Sequence, residues 1–288
     1  MNKEDLKALA EIINNYSSYN NEKRNDSEKK LKVLRKNNMG LLCLNLLDLS
    51  TMNNYSDNNI ISCLVLLRNI IEIDSKKYWG NIDTNLKEKI KQKALNLLLN
   101  NSSDFNLQLI NKIIFIIEQL VHIIEDFNET WPELINLTNN LLKLSFPHDI
   151  NKINPIIKTI KYCLSFLYNE IMLHLHQYNS FFKIIFDADS KNNINILTSK
   201  VICCEFYSEL ISYNLNNLND ISPSINFISS NMIKTLKDCF DFINNLNLNE
   251  DKIRIIIEDL TFDLLSYTEI LIRPDIFFHF PFSYKDLN

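Results

Sequence analysis

Two glycines in 288 residues leave this chain almost nothing with which to make tight turns. Both are isolated, Gly40 and Gly80, so no glycine-rich loop cradles a phosphate, and a P-loop or a GxGxxG dinucleotide turn is excluded. Antiparallel sheets need turns built largely from Gly, Asn or Pro. Prolines number only six, and Asn falls inside apolar-periodic stretches as often as between them. The chain is therefore not expected to be β-rich, and its turns must be made by other means.

Length allows about two domains of ordinary size. Net charge is -5, too mildly acidic for a general phosphate-binding surface and compatible with a basic protein partner. The six cysteines (Cys43, Cys63, Cys163, Cys203, Cys204, Cys239) lie mostly in apolar stretches without CxxC spacing. With no signal peptide behind Met1, they read as reduced, buried thiols of a cytosolic or nuclear protein. No apolar run reaches the ~18 residues of a membrane span; even Ile113 to Val121 is interrupted by Glu118 and Gln119. A soluble protein follows.

Apolar residues recur at helical spacing nearly throughout, punctuated by short polar clusters that read as helix starts. Asp57 and Asp104 each precede such a stretch, and Thr130-Trp131-Pro132-Glu133 fits a capping box with Thr130 as N-cap. Asn154-Pro155 and Ser222-Pro223 pair an N-cap residue with proline at the first helical position. The pattern predicts helices at about 3–19, 21–37, 40–53, 57–74, 83–100, 104–126, 130–145, 154–169, 172–187, 192–213, 223–245 and 249–272. The break near 170 is placed by period alone.

These twelve segments make about six antiparallel helix pairs with a period near 45 residues, within the ~40–47 of HEAT and armadillo arrays. The fold class is therefore all-α, a HEAT-repeat α-solenoid coiled as a right-handed superhelix, continuous over 1–288. Its approximate repeats are 1–37, 38–74, 83–126, 130–169, 172–213 and 223–272. Two helices show a single narrow polar stripe, as in a stacked layer. One carries Gln108, Asn111, Lys112, Glu118, Gln119, His122, Glu125 and Asp126; the other Asn59, Ser62, Arg68, Asn69 and Glu72.

Catalytic chemistry finds no foothold. His174 and His176 lie two apart and point away from each other on a helix, so they do not share a metal as an i, i+4 pair would. Cys203 and Cys204 are helical neighbours; one is expected buried and the other at a helix contact. Asp149 reads as a cap and not as a partner for His148 acting as base. No catalytic residue, metal or cofactor is predicted. Lys87, Lys89, Lys91 and Lys93 spread around their helix with Glu88 among them and read as a solvated face, not a nucleic-acid patch. The mixed-charge run from Asn20 to Lys30 reads as an exposed turn.

Several segments resemble the N-terminal HEAT repeats of the importin-β (karyopherin-β) nuclear transport receptors. Tyr78-Trp79-Gly80-Asn81-Ile82-Asp83 leads into Leu86-Lys87-Glu88-Lys89-Ile90-Lys91 and Ala94-Leu95-Asn96-Leu97-Leu98, similar to the family's third repeat. Thr130-Trp131-Pro132-Glu133-Leu134-Ile135 matches the Trp-Pro-Glu-Leu-Ile opening of its fourth. Leu66-Leu67-Arg68-Asn69-Ile70-Ile71 is similar to the end of the second repeat, and Asn21 to Arg24 with Ser27 to Leu31 to the first. The segment Phe181 to Phe186 followed by Val201 to Cys204 is compatible with the fifth repeat of the importin-β-three-like branch. Resemblance is good over roughly 55–135 and fades after about 215. Trp79, Trp131, Pro132 and Glu133 belong to the scaffold on this reading: two anchors and a helix start.

The resemblance implies a receptor that serves nucleocytoplasmic protein import, shuttling between cytoplasm and nucleus. Family members bind the GTPase Ran in its GTP form through the second helices of the first pairs, here 21–37, 57–74 and 104–126. Basic cargo proteins and phenylalanine-glycine nucleoporins are the other implied partners; nucleic acid and membrane are not. The residues projected to contact the GTPase are Glu28, Arg68, Asn69, Glu72, Asn111, Lys112, Glu118 and Gln119. Full receptors are much longer, so the chain is expected to be an N-terminal piece, with the aromatic cluster Phe277, Phe278, Phe280 and Phe282 awaiting a following repeat. An exportin of the same superfamily, or a HEAT scaffold of the phosphatase-regulatory type, is the alternative.

Overall fold

The computed structural model describes residues 3–52, 56–101, 107–191, 193–214, 221–244 and 251–271. Among these residues there are twelve α-helices and no strand. They fall into two compact units that divide between Asn136 and Leu137, inside α6 (Pro132–Leu141).

The first unit comprises α1 (Lys3–Tyr16), α2 (Asn21–Ser50), α3 (Asp57–Tyr78), a 3₁₀ turn (Trp79–Asn81), α4 (Thr84–Asn101) and α5 (Leu107–Asp126). Asn and Asp side chains start two of these helices, α2 and α4. Asn20 accepts from the amides of Glu22 and Lys23, and Asp83 from those of Asn85 and Leu86. The helices predicted at 21–37 and 40–53 form one element, broken only at Asn38 (φ −158°, ψ 86°), whose Oδ1 caps the second arm through the Leu41 amide at 2.9 Å. The run from Asn20 to Lys30 is accordingly helix and not a turn.

Packing sets two layers. α3 lies against the 21–37 arm of α2 and against α5; α4 lies against the 39–50 arm. The three segments projected to bind the GTPase are thus neighbours in one layer. Gly40, near the boundary drawn between the repeats 1–37 and 38–74, does not lie in a turn. It sits buried inside α2 because α4 comes close there: a Cβ would lie 2.8 Å from both Ile82 Cγ2 and Leu86 Cδ2.

Other helix starts move by a few residues. Trp131, not Thr130, holds the N-cap position of α6, its carbonyl accepting from Ile135 at 3.3 Å. Ser56 does so in place of Asp57. Asp104 and the Phe277 to Phe282 cluster lie outside the described residues.

The second unit departs further from the predicted helices 154–169 and 172–187. Three short helices, α7 (Ile150–Tyr162), α8 (Leu164–Leu173) and α9 (Leu175–Asp187), break at Cys163 and His174, and Pro155 lies inside α7. Helix α7 starts four residues before Asn154: Asp149 holds the N-cap position through its carbonyl, which accepts from Ile153 at 2.9 Å, while its side chain caps no helix amide and accepts instead from the Ser145 amide at 3.0 Å. Next come α10 (Ile194–Tyr213), α11 (Ser222–Asn244) and α12 (Asp251–Leu271). Helix α10 packs against α7, α9, α11 and α12, and all residues from Ser199 to Ser208 are buried. Cys203 and Cys204 are both fully buried, on different sides of a helix that is enclosed around most of its circumference.

The repeat period is visible in tertiary polar contacts. Ser17–Ser62, Asp48–Lys93 and Asn179–Ser224 are each separated by 45 residues, Lys161–Glu205 by 44 and Tyr168–Asn214 by 46. Pairing at one period is what stacked equivalent positions produce.

Replacing Gly40 by alanine should destabilise the fold by ~1 kcal/mol, because crowding against α4 outweighs the gain in helix propensity. Urea denaturation would show it; an unchanged or raised midpoint would refute the close approach.

Candidate partner-binding face

The layer formed by residues 21–37, α3 and α5 carries every residue projected to touch a GTPase. On α3, apolar positions Leu64, Leu67 and Ile71 are buried, while Asn69 and Glu72 stand exposed with Val65 and Ile73. Their spacing of four and seven residues makes one outward ridge. On α5, Asn111, Lys112, Glu118 and Gln119 are half-buried between the apolar rows of Ile113, Ile117 and Leu120.

Arg68 joins the two helices. Its guanidinium lies over the Phe115 ring at 5.4 Å from the centroid, and its Nε is 3.7 Å from Glu72. Asn111, Phe115 and Glu118 follow one another along α5 at i, i+4 and i+7. Arg68, Glu72, Asn111 and Glu118 therefore fall at one α3/α5 seam. Glu28 lies on the other side of α3, at a recess lined by Leu66 and Ile70. Lys112 and Gln119 form the next row of α5. The eight residues share a layer but not one spot.

Behind this layer sits a charged cluster that contradicts the solvated-face reading of the lysines. Lys87 and Lys91 are 9% and 2% exposed. Lys87 Nζ donates to Glu129 at 2.6 Å and lies 5.4 Å from the centroid of the fully buried Trp79 ring. Lys91 Nζ donates to Glu88 at 2.9 Å and to the Thr130 carbonyl at 3.0 Å, with Glu129 at 3.5 Å. Lys93 pairs with Asp48 on α2. Burial alone would raise the Glu129 carboxyl, but the Lys87 hydrogen bond and the charges of Lys87 and Lys91 hold it below its ordinary value.

The signal for this was present. Lys87 and Lys91 share the helical stripe of Ile90, Ala94, Leu95 and Leu98, where a solvated residue does not belong. Trp79 and Trp131 are both fully buried, at 0% exposure; Pro132 and Glu133 are exposed in the first turn of α6.

Burial pushes the Cys43 and Cys63 thiols up to about 12 and that of Cys239 to about 11, and raises Cys203 and Cys204 likewise, so all are protonated at neutral pH. His174 pairs with Glu170 at 3.3 Å while His176 is exposed. Among the described residues no group of three His, Cys, Asp or Glu could hold a metal ion, and no helix is long and apolar enough to cross a membrane.

No protein-family model and no curated protein matches the chain. Among solved structures it is similar to a chain from the work on how Kap95p binding induces the switch loops of RanGDP to adopt the GTP-bound conformation. The TM-score is 0.51 at 15% identity, over 99% of this chain and 36% of the other. This chain thus spans about a third of the length of the one it matches. The likeness is one of fold alone: the chain has an all-α, HEAT-like helical-repeat fold similar to that of the chain it matches.

Changing Glu129 to Gln should cost on the order of 2–3 kcal/mol at neutral pH by leaving Lys87 and Lys91 underpaired. The folded-state carboxyl ionises more readily than in the unfolded chain. Its contribution is therefore complete above the ordinary value of 4.5 and is lost as pH falls through the lower folded value. Urea titrations should show wild type and variant converging in acid; a difference independent of pH would exclude the ionised carboxylate as the cause.

Proposed function

We propose that this chain is the GTPase-binding region of a nuclear transport receptor, and that residues 21–37, α3 and α5 form the surface that meets a Ran-type GTPase. The observation that supports this most is the fold likeness to a structure whose subject is Kap95p acting on Ran. The common layer of the three second helices agrees with it. On this reading the chain works by binding, without catalysis or cofactor, in both cytoplasm and nucleus. Basic cargo and phenylalanine-glycine nucleoporins would bind the same receptor.

The α3/α5 seam is the part of the face where polar groups from two helices meet, so it is the place to test. GTP-loaded Ran should bind the chain and GDP-loaded Ran should bind far more weakly. Arg68→Glu combined with Glu118→Lys should lower the affinity for the GTP form by about tenfold or more. Folding should persist, since both groups are only half-buried and the contact of Arg68 with Phe115 is worth ~1 kcal/mol. Isothermal titration calorimetry would measure both. Equal binding by wild type and double variant removes the seam, and absence of binding in either nucleotide state favours a HEAT scaffold.

A further inference from the structure

We propose that the 21–37 arm of α2 is a docking surface for an acidic peptide segment of a partner protein, anchored by one bulky apolar side chain in the recess between this arm and α3. Residues 21–37 hold seven Lys or Arg against three Asp or Glu, a net +4 in a chain of net -5. Six of the seven cations are exposed and the seventh, Arg35, is half-buried. A positive field of this kind, set on a negative protein, selects and steers an anionic partner.

The pairing of lysines elsewhere makes the concentration unusual. Lys87, Lys91, Lys93, Lys152, Lys161, Lys183, Lys200 and Lys234 each have a carboxylate within 4.0 Å. Among the lysines of the arm Lys30 pairs with Asp26 at 2.7 Å, while Lys23, Lys29, Lys32 and Lys36 have no ion pair among the described residues.

The recess supplies the second half of the recognition. Its volume is about 190 Å³, its floor is Leu31, Leu66, Ile70 and Tyr16, and Glu28, Lys32 and Arg35 line its α2 wall at i, i+4 and i+7. A bare basic helix would suit any polyanion. An apolar pocket bordered by two cations suits a peptide in which acidic residues flank a large apolar one.

Fluorescence anisotropy with the whole chain tests this, using a short labelled Asp/Glu-rich peptide containing one phenylalanine. Lys32→Glu with Arg35→Glu should weaken binding by about tenfold or more, and Glu28→Lys should tighten it severalfold. Replacing the peptide's phenylalanine by serine should weaken it too. Circular dichroism checks that the variants fold, and the gain from Glu28→Lys stands as a second readout. Failure of the peptide to bind, wild-type binding by the Lys32/Arg35 variant, or equally tight binding of a single-stranded oligonucleotide of the same charge would each overturn the proposal. The arm also belongs to the face proposed to meet the GTPase, and the two readings separate at the α3/α5 seam: Arg68→Glu with Glu118→Lys should leave peptide affinity unchanged.

Discussion

A helix that is apolar around most of its circumference has to be surrounded by other helices, and α5 and α10 are both of this kind. Burial of apolar side chains contributes roughly 25 cal/mol per Å² removed from water, so neither helix can be left at an edge. Around α10 this gathers α7, α9, α11 and α12. Around α5 it brings α3 and α4, and through α3 the first arm of α2. Each short helix contributes to a core that none could form alone, which is the logic of a repeat protein. The exposed ridge of α3 and the half-buried polar rows of α5 are what remains wet once these contacts are made.

Enclosing such helices also encloses charge. Lys91, Lys200 and Glu205 lie on stripes that packing buries, and a buried charge must be paired. Lys200 meets Asp238 at 2.6 Å and Glu205 meets Lys161 at 3.0 Å. At Lys161 burial works against the ammonium, and Glu205 more than offsets it, so the amine is held above its ordinary value. These pairs have fixed geometry and link elements about one repeat apart, so they act on register as well as on energy. A helix shifted by one residue would strand a lysine in an apolar layer.

Much of this was legible in the chain itself. The two-layer stack of the first unit follows from the period and from the polar clusters between helices, and Trp79 and Trp131 are fully buried. What escaped was decided by single contacts between distant segments. The approach of α4 to Gly40 depends on Ile82 and Leu86, and neither residue announces it. The burial of Lys87 depends on Glu129, 42 residues away, so a local count of lysines reads as solvation. The breaks at Cys163 and His174 leave no Gly or Pro mark, which is why one break placed by period missed both.

The polar face is harder to read than the core because a stacked helix has a wet stripe whether or not anything binds there. Composition of the stripe is then the useful quantity. On α3 and α5 it mixes signs and amides: Arg68, Asn69 and Glu72 beside Asn111, Lys112, Glu118 and Gln119. On the first arm of α2 it is predominantly cationic and adjoins an apolar recess. Mixed polar groups favour a partner recognised by geometry, through hydrogen bonds and matched charges at defined positions. A one-signed stripe instead favours a partner recognised by field, whose affinity falls as salt screens it. Glu28, an acidic residue in the wall of that recess, is where the two kinds of surface meet, and its charge opposes the field that the rest of the arm creates.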